Sequence, residues 1–150
     1  STHALEVACL DADIVIGAVL VVGAKAPKLV SNELVARMRH GSVLVDISVD
    51  QGGCFEATRP TTHSDPVFEF NGSIFYCVAN MPGAVPNTST YALANATLPY
   101  ALELANKGWR DAVKDDEALG EGVNVVEGAI TYGPVAEALG MTHTPLGPLL

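Results

Sequence analysis

Basic residues are scarce in this chain. Its 150 residues hold 8 Lys and Arg against 17 Asp and Glu, a formal charge of −9. No basic patch or Arg/Lys-rich helix occurs, so the surface that a nucleic-acid partner needs is missing. Cysteine is sparse too. Cys9, Cys54 and Cys77 form an odd set with no CxxC or Cys/His spacing, which fits reduced thiols in a cytosolic protein and neither a disulfide framework nor a zinc site. Long hydrophobic runs are lacking. The longest, IVIGAVLVVGA over residues 14–24, falls short of the roughly 20 residues of a membrane span, and its glycines suit a strand and a turn. No charged stretch with a cleavage site marks a secretory signal. Position 1 carries no Met; the chain starts STHALEVACLDADIVIGAVL, a helix end feeding a strand, and the expectation is a fragment of a longer protein.

What is present is enough for one globular core: 49% of the residues are hydrophobic. Residues 4–10 read as the end of a helix. Residues 13–20, DIVIGAVL, are rich in β-branched residues and apolar after Asp13, as in a strand buried on both faces of a parallel sheet. Residues 21–29 form a loop. Ser31 suits the N-cap of a helix over residues 32–39, with Gly41 ending it. Residues 43–49 read as a second buried strand, and residues 51–66 as a loop punctuated by Gly and Pro. VFEFNGSIFYCVAN reads as strand, Asn71-Gly72 turn, strand. A long helix is expected over residues 89–107, capped by Thr88 or Ser89 and kinked or split at Pro99. A helical stretch over residues 109–119, a short strand pair around Glu127-Gly128 and a helix over residues 134–139 complete the reading.

Strand, helix, strand, loop and strand in that order make the second half of a doubly wound α/β sheet. Ligands of such sheets bind outside the carboxyl ends of the strands. Three places then matter: Val19 and Leu20, Val49 and Asp50, and residues 78–81. Asp50 has two readings. It caps a turn, which is common, or it is an acid at the sheet edge that can move protons or stabilise charge. Asp46, inside the strand, is ambiguous and can be read as a satisfied buried acid. Gly52 and Gly53 allow positive φ and close backbone approach. Asn80 offers a donor and an acceptor, and Met81 a flexible apolar wall. Arg59 reads as a solvated arginine on residue physics alone. His63 sits in a loop with no partner specified and reads as a surface or structural histidine. Glu103 and Lys107, one helical turn apart, read as an ion pair and not a metal site.

Three stretches, GAVLVVGAKAPKLV, VLVDISVDQGGCFEATRPTTHSDP and YCVANMPGAVPNTSTYALANATLPY, resemble the C-terminal part of the alanine dehydrogenase and transhydrogenase α-subunit family. The likeness covers nearly the whole chain and is nearest to actinobacterial alanine dehydrogenases. It implies the second half of a Rossmann-type NAD-binding domain over residues 1–86, then a helical segment over residues 87–150 that returns to a substrate domain. It implies NAD as cofactor, L-alanine, pyruvate and ammonia as substrates, a cytoplasmic homohexamer, and no membrane or nucleic-acid partner. By resemblance Asp50 is the active-site acid. Val19, Leu20, Ile47, Ser48, Val49, Asp50, Arg59, Val78, Ala79, Asn80 and Met81 line the cofactor. Val22 stands where the family usually has Pro, and Asn87 where a basic residue is common.

A dinucleotide site usually opens with G-x-G-x-x-G and an acid about 20 residues later. These 150 residues contain no such motif. The resemblance places it upstream, together with the family's catalytic His and its substrate-binding Arg and Lys. The expectation is therefore one wall of a cleft, with little or no activity of its own. The alternatives are the NAD(H)-binding domain of a transhydrogenase α subunit, which would continue into membrane helices, and a non-catalytic remnant.

Overall fold

A computed structural model describes residues 1–23 and 25–150. Ala24, in the loop expected over residues 21–29, lies outside the described residues. The contacts divide the chain into two units, Ser1–Ala84 and Val85–Leu150.

The first unit holds helices α1 (Thr2–Asp11) and α2 (Asn32–Val35) and strands β1 (Ile14–Gly17), β2 (Val43–Asp46), β3 (Val67–Phe70) and β4 (Ser73–Tyr76). The sheet order is β1-β2-β4-β3. β1, β2 and β4 run parallel, and β3 returns antiparallel to β4. The hairpin turn is the expected Asn71-Gly72, with both residues left-handed at φ 50° and 78°. That is the twist a two-residue hairpin needs. Ser31 caps α2 as expected, its hydroxyl accepting the Leu34 N–H. The helix is shorter than residues 32–39. After Val35 the chain tightens into turns in which Arg37 and Met38 donate to Leu34 and Val35.

One face of the sheet forms the core. Leu44 and Phe75 are fully buried there and join Val35, Phe55 and Cys77 in one cluster. The Phe75 ring stacks on Phe68 and meets Phe55 and Phe70 edge-on. The opposite face corrects the expectation of a strand buried on both sides. Ile14 and Ile16 are 61% and 63% exposed, and Val67 and Ile74 are exposed beside them. The reason is the period of two along each strand: β1 turns Val15 and Gly17 inward and Ile14 and Ile16 outward, where the first unit supplies no covering helix. β1 and β2 are also shorter than expected. β1 ends at Gly17 and β2 at Asp46, where a 3₁₀ turn (Ile47–Gln51) takes over. Asp46 starts that turn by accepting the Ser48 N–H at 3.0 Å.

The second unit begins with α3 (Pro86–Lys107). The helix starts earlier than residue 89, after Val85 and without a side-chain cap. Pro86 explains this: its fixed φ suits the first helical turn, where a missing N–H is no loss. Pro99 does not split the helix. The stretch expected over residues 109–119 is two helices, α4 (Trp109–Asp115) and α5 (Glu117–Glu121), because the Asp116 carboxyl accepts the Ala118 and Leu119 N–H groups and starts a new helix. β5 (Val125–Val126) and β6 (Ala129–Ile130) pair across Glu127-Gly128, and α6 (Gly133–Leu139) follows.

No residue of α3 is buried, and Tyr91, Leu93, Leu98 and Leu102 are all at least half exposed. Apolar surface on this helix and on the open sheet face favours association. The isolated chain is expected to sediment as assemblies whose size rises with concentration. A stable monomer across a wide concentration range contradicts this.

Candidate functional site

The first unit sets three parallel strand ends side by side, and the loops that leave them carry nearly all the expected site residues. Val19 and Leu20 follow β1. Ile47, Ser48, Val49 and Asp50 follow β2 as the 3₁₀ turn. Val78, Ala79, Asn80 and Met81 follow β4. None of them lies within a strand, so the expected strand-end position of Val49 and Asp50 moves into a turn.

Asp46 builds this edge. It is fully buried. Its carboxyl oxygens accept the backbone N–H groups of Ser48, Cys54 and Phe55 at 3.0, 3.0 and 3.4 Å. The Thr58 hydroxyl and the Cys54 thiol donate to it as well. The question left open by the sequence is thereby answered: Asp46 is the acceptor around which residues 46–58 fold. Burial, and next the negative charge of Asp46, push the Cys54 thiol up to about 11. Burial likewise raises Cys77. Thiols held this way are poor nucleophiles.

The 3₁₀ turn buries Ser48 and Val49 and leaves Ile47 and Asp50 exposed. It is stitched to the loop after β1. Ser48 Oγ donates to the Val19 carbonyl at 2.8 Å, and Ala26 donates its N–H to the Gln51 carbonyl at 2.9 Å. Lys28 Nζ donates to the carbonyls of Gly52 and Phe55 at 2.5 and 2.9 Å. Gly52 and Gly53 are both left-handed, at φ 91° and 75°. A Cβ on Gly52 would point into open space, whereas one on Gly53 would lie 2.6 Å from Asp46 Oδ2.

At the β4 end, Thr61 bridges to Val78, with the Thr61 N–H donating to the Cys77 carbonyl at 2.9 Å. Val78 is buried, and Asn80 is exposed and left-handed at φ 59°. Its carbonyl accepts from the Gly83 N–H and from His63 Nε2, each at 2.9 Å. Sequence reasoning gave His63 no partner; the structure gives it Asn80. Arg59 is exposed with its guanidinium 4.1 Å above the Phe68 ring centre, a cation–π contact. Among the described residues it makes no hydrogen bond to the other site residues. Lys28, Thr58 and His63 carried no signal in the sequence, because their partners are backbone atoms or a residue brought close only by the loop path.

In the second unit, Lys107 Nζ lies 2.8 Å from Glu103 and 2.9 Å from Asp115. The expected ion pair is present with a second acid. Among the described residues no cluster of His, Cys, Asp and Glu is arranged to hold a metal. No helix among them is long and apolar enough to cross a membrane.

Parallel strands whose carboxyl-end loops carry an exposed acid, a left-handed glycine pair and an asparagine corner have the form of the ligand-binding edge of an open α/β sheet. The chain belongs to the family described as alanine dehydrogenase/PNT, C-terminal domain, whose model matches residues 1–133. It is 60% identical over 144 residues to the alanine dehydrogenase of Mycobacterium tuberculosis, covering 96% of this chain and 39% of that protein. It is 56% identical over 150 residues to that of Mycolicibacterium smegmatis, covering all of this chain and 40% of that protein. Among solved structures it is similar to an L-alanine dehydrogenase, with a TM-score of 0.76 and 48% identity over 93% of this chain and 38% of the other. It is also similar to a transhydrogenase from Sinorhizobium meliloti, with a TM-score of 0.55 and 29% identity over 60% of this chain and 25% of the other. The chain thus spans about two-fifths of the curated relatives it matches.

Proposed function

We propose that this chain forms the nicotinamide-side wall of an NAD-dependent alanine dehydrogenase. In that reaction L-alanine, water and NAD⁺ give pyruvate, ammonium and NADH with release of one proton. The observation that carries the reading is the exposed Asp50 in the turn that leaves the carboxyl end of β2, the strand between the parallel β1 and β4. The described residues fit one half of the cofactor. Leu20 and Ile47 offer exposed apolar surface, the open Gly52 keeps the wall thin, and Asn80 offers an amide for a carboxamide partner. When bound, NAD supplies the hydride acceptor. Asp50 moves protons on the substrate side and offsets developing positive charge. Ser48, Val49 and Val78, held inside by their own contacts, offer backbone groups, while Val19, Ala79 and Met81 add apolar wall. Arg59 is assigned to a ribose or phosphate of the cofactor. The remaining cleft, with its glycine cradle and substrate contacts, belongs to sequence other than these 150 residues. The segment over residues 87–150 is assigned to the substrate domain and to contacts within a cytoplasmic homohexamer.

The likeness to a transhydrogenase keeps an NAD(H)-binding domain of that kind as the second reading, although it covers less of the chain at lower identity. A chimera separates the two. The matched segment of the Mycobacterium tuberculosis alanine dehydrogenase is replaced by this chain, and alanine-dependent NAD reduction is measured. The chimera is expected to turn over, and Asp50→Asn to lower turnover about 100- to 10,000-fold, the range of general acid–base catalysis. The chain by itself is expected to give little or no turnover. A folded, assembled chimera without activity, or one indifferent to Asp50→Asn, overturns the proposal.

A further inference from the structure

We infer that His63 is a positioning residue for the cofactor wall: its imidazole fixes the left-handed corner at Asn80. This rests on the reading of residues 78–81 as that wall. Asn80 holds φ 59°, a left-handed conformation that asparagine enters more readily than other L residues and that hydrogen bonds can fix. Here the enforcement is visible. The Asn80 carbonyl accepts two hydrogen bonds at 2.9 Å, one from the Gly83 N–H and one from His63 Nε2. A carbonyl only accepts, so His63 carries its proton on Nε2.

The loop that presents His63 is itself held. The Thr61 N–H donates to the Cys77 carbonyl and the Ala79 N–H to the Thr61 carbonyl, so residue 61 runs beside β4 as a short parallel bridge. Thr61 Oγ1 closes the loop onto the Pro66 carbonyl at 2.9 Å. Thr62 braces the tip through Ser64 Oγ and the Asp65 N–H. The anchor at residue 61 therefore delivers His63 to a corner that begins two residues past Val78. Gly83 completes the arrangement. A Cβ there would lie 3.1 Å from His63 Nε2 and 3.2 Å from Asn80 Nδ2, so the ring and the Asn80 amide both close over a residue without a side chain. With the corner pinned from two sides, the Asn80 amide and Met81 face a cofactor in one orientation. The ordering is then in place before binding, which favours affinity.

The test uses the ¹⁵N-labelled 150-residue chain with His63→Ala and His63→Gln. Glutamine places an amide N–H at the position of the ring Nε2–H. Amide exchange at Gly83 and Met81 is read by NMR on dilute chain, and NADH is titrated into the chimera carrying the same substitutions. His63→Ala is expected to speed Gly83 exchange about tenfold and weaken NADH about fivefold, the scale of one neutral hydrogen bond. His63→Gln is expected to return both to within about twofold of the parent chain. Unchanged exchange and affinity in His63→Ala overturn the inference. So does a His63→Gln variant as impaired as His63→Ala, since shape and not the hydrogen bond would then matter. A chimera with His63 intact that folds but takes up no NADH overturns the cofactor reading instead, and the exchange comparison still decides whether His63 pins the corner.

Discussion

Asp46→Ala is expected to lower the unfolding free energy of the first unit by about 3–5 kcal/mol, because several buried neutral donors lose their acceptor at once. Asp46 is fully buried and serves three backbone N–H groups, a hydroxyl and a thiol. Alanine fills none of those roles. Each buried donor left without an acceptor costs roughly 1–3 kcal/mol, and the Cys54 and Phe55 donors lie deep in the core. Thr58→Val removes one donor and leaves the carboxyl with its other partners, so its expected cost is about 1–2 kcal/mol. The probe matters, because the single tryptophan, Trp109, lies in the second unit. Exchange of the β2 and β4 amides in urea reports the first unit. A loss below about 1 kcal/mol for Asp46→Ala, the net worth of one ordinary hydrogen bond, would show that the loop does not depend on this acid.

The contrast between Asp46 and Asp50 shows where sequence reading stops. Both are acids in or at the end of one short apolar run, and their local sequence does not say which of them is buried. What separates them is the path of residues 51–58, which returns Cys54, Phe55 and Thr58 to the first acid and leaves the second in solvent. Features governed by neighbours in sequence were legible: the Asn71-Gly72 hairpin, the Ser31 cap and the turn at Glu127-Gly128. So was the parallel order of the strands, since β-branched runs alternating with a capped helix admit few other arrangements. Strand burial was over-read, because an apolar run does not say whether a second layer is at hand to cover it. The start of α3 was misplaced because Ser and Thr were weighted as caps while Pro86 fixed the first turn. The residues at the three strand ends stood out through their likeness to a family; their roles as cofactor wall and proton carrier remain proposals. Lys28 and His63 were out of reach because they act on carbonyl oxygens, which every residue has.

Gly53→Ala is expected to destabilise the first unit by about 2–5 kcal/mol, and Gly52→Ala by only about 1–2 kcal/mol. The two glycines are neighbours with similar φ, 91° and 75°. Backbone strain alone therefore predicts equal effects, roughly 1–2 kcal/mol for an L residue in the left-handed region. The surroundings break the tie. At Gly52 a methyl group meets nothing within 4 Å, whereas at Gly53 it would overlap the Thr58 side chain and press on Asp46 Oδ2 at 2.6 Å. Thr58 and Asp46 cannot both yield without loosening the hydrogen bond between them, so overpacking adds roughly 1–3 kcal/mol at Gly53. The ranking reverses for the candidate site. Gly52 borders the exposed Asp50 turn and is held through its backbone, its carbonyl by Lys28 and its N–H by the Val49 carbonyl. A methyl group there thickens the proposed cofactor wall without disturbing the fold. In the chimera, Gly52→Ala should therefore raise the apparent Kd for NADH at a stability cost limited to the backbone strain, about 1–2 kcal/mol, and Gly53→Ala should do its damage mainly through stability. Equal stability losses for the two variants would mean that left-handed strain, and not contact with the Asp46 network, sets the requirement for glycine at position 53.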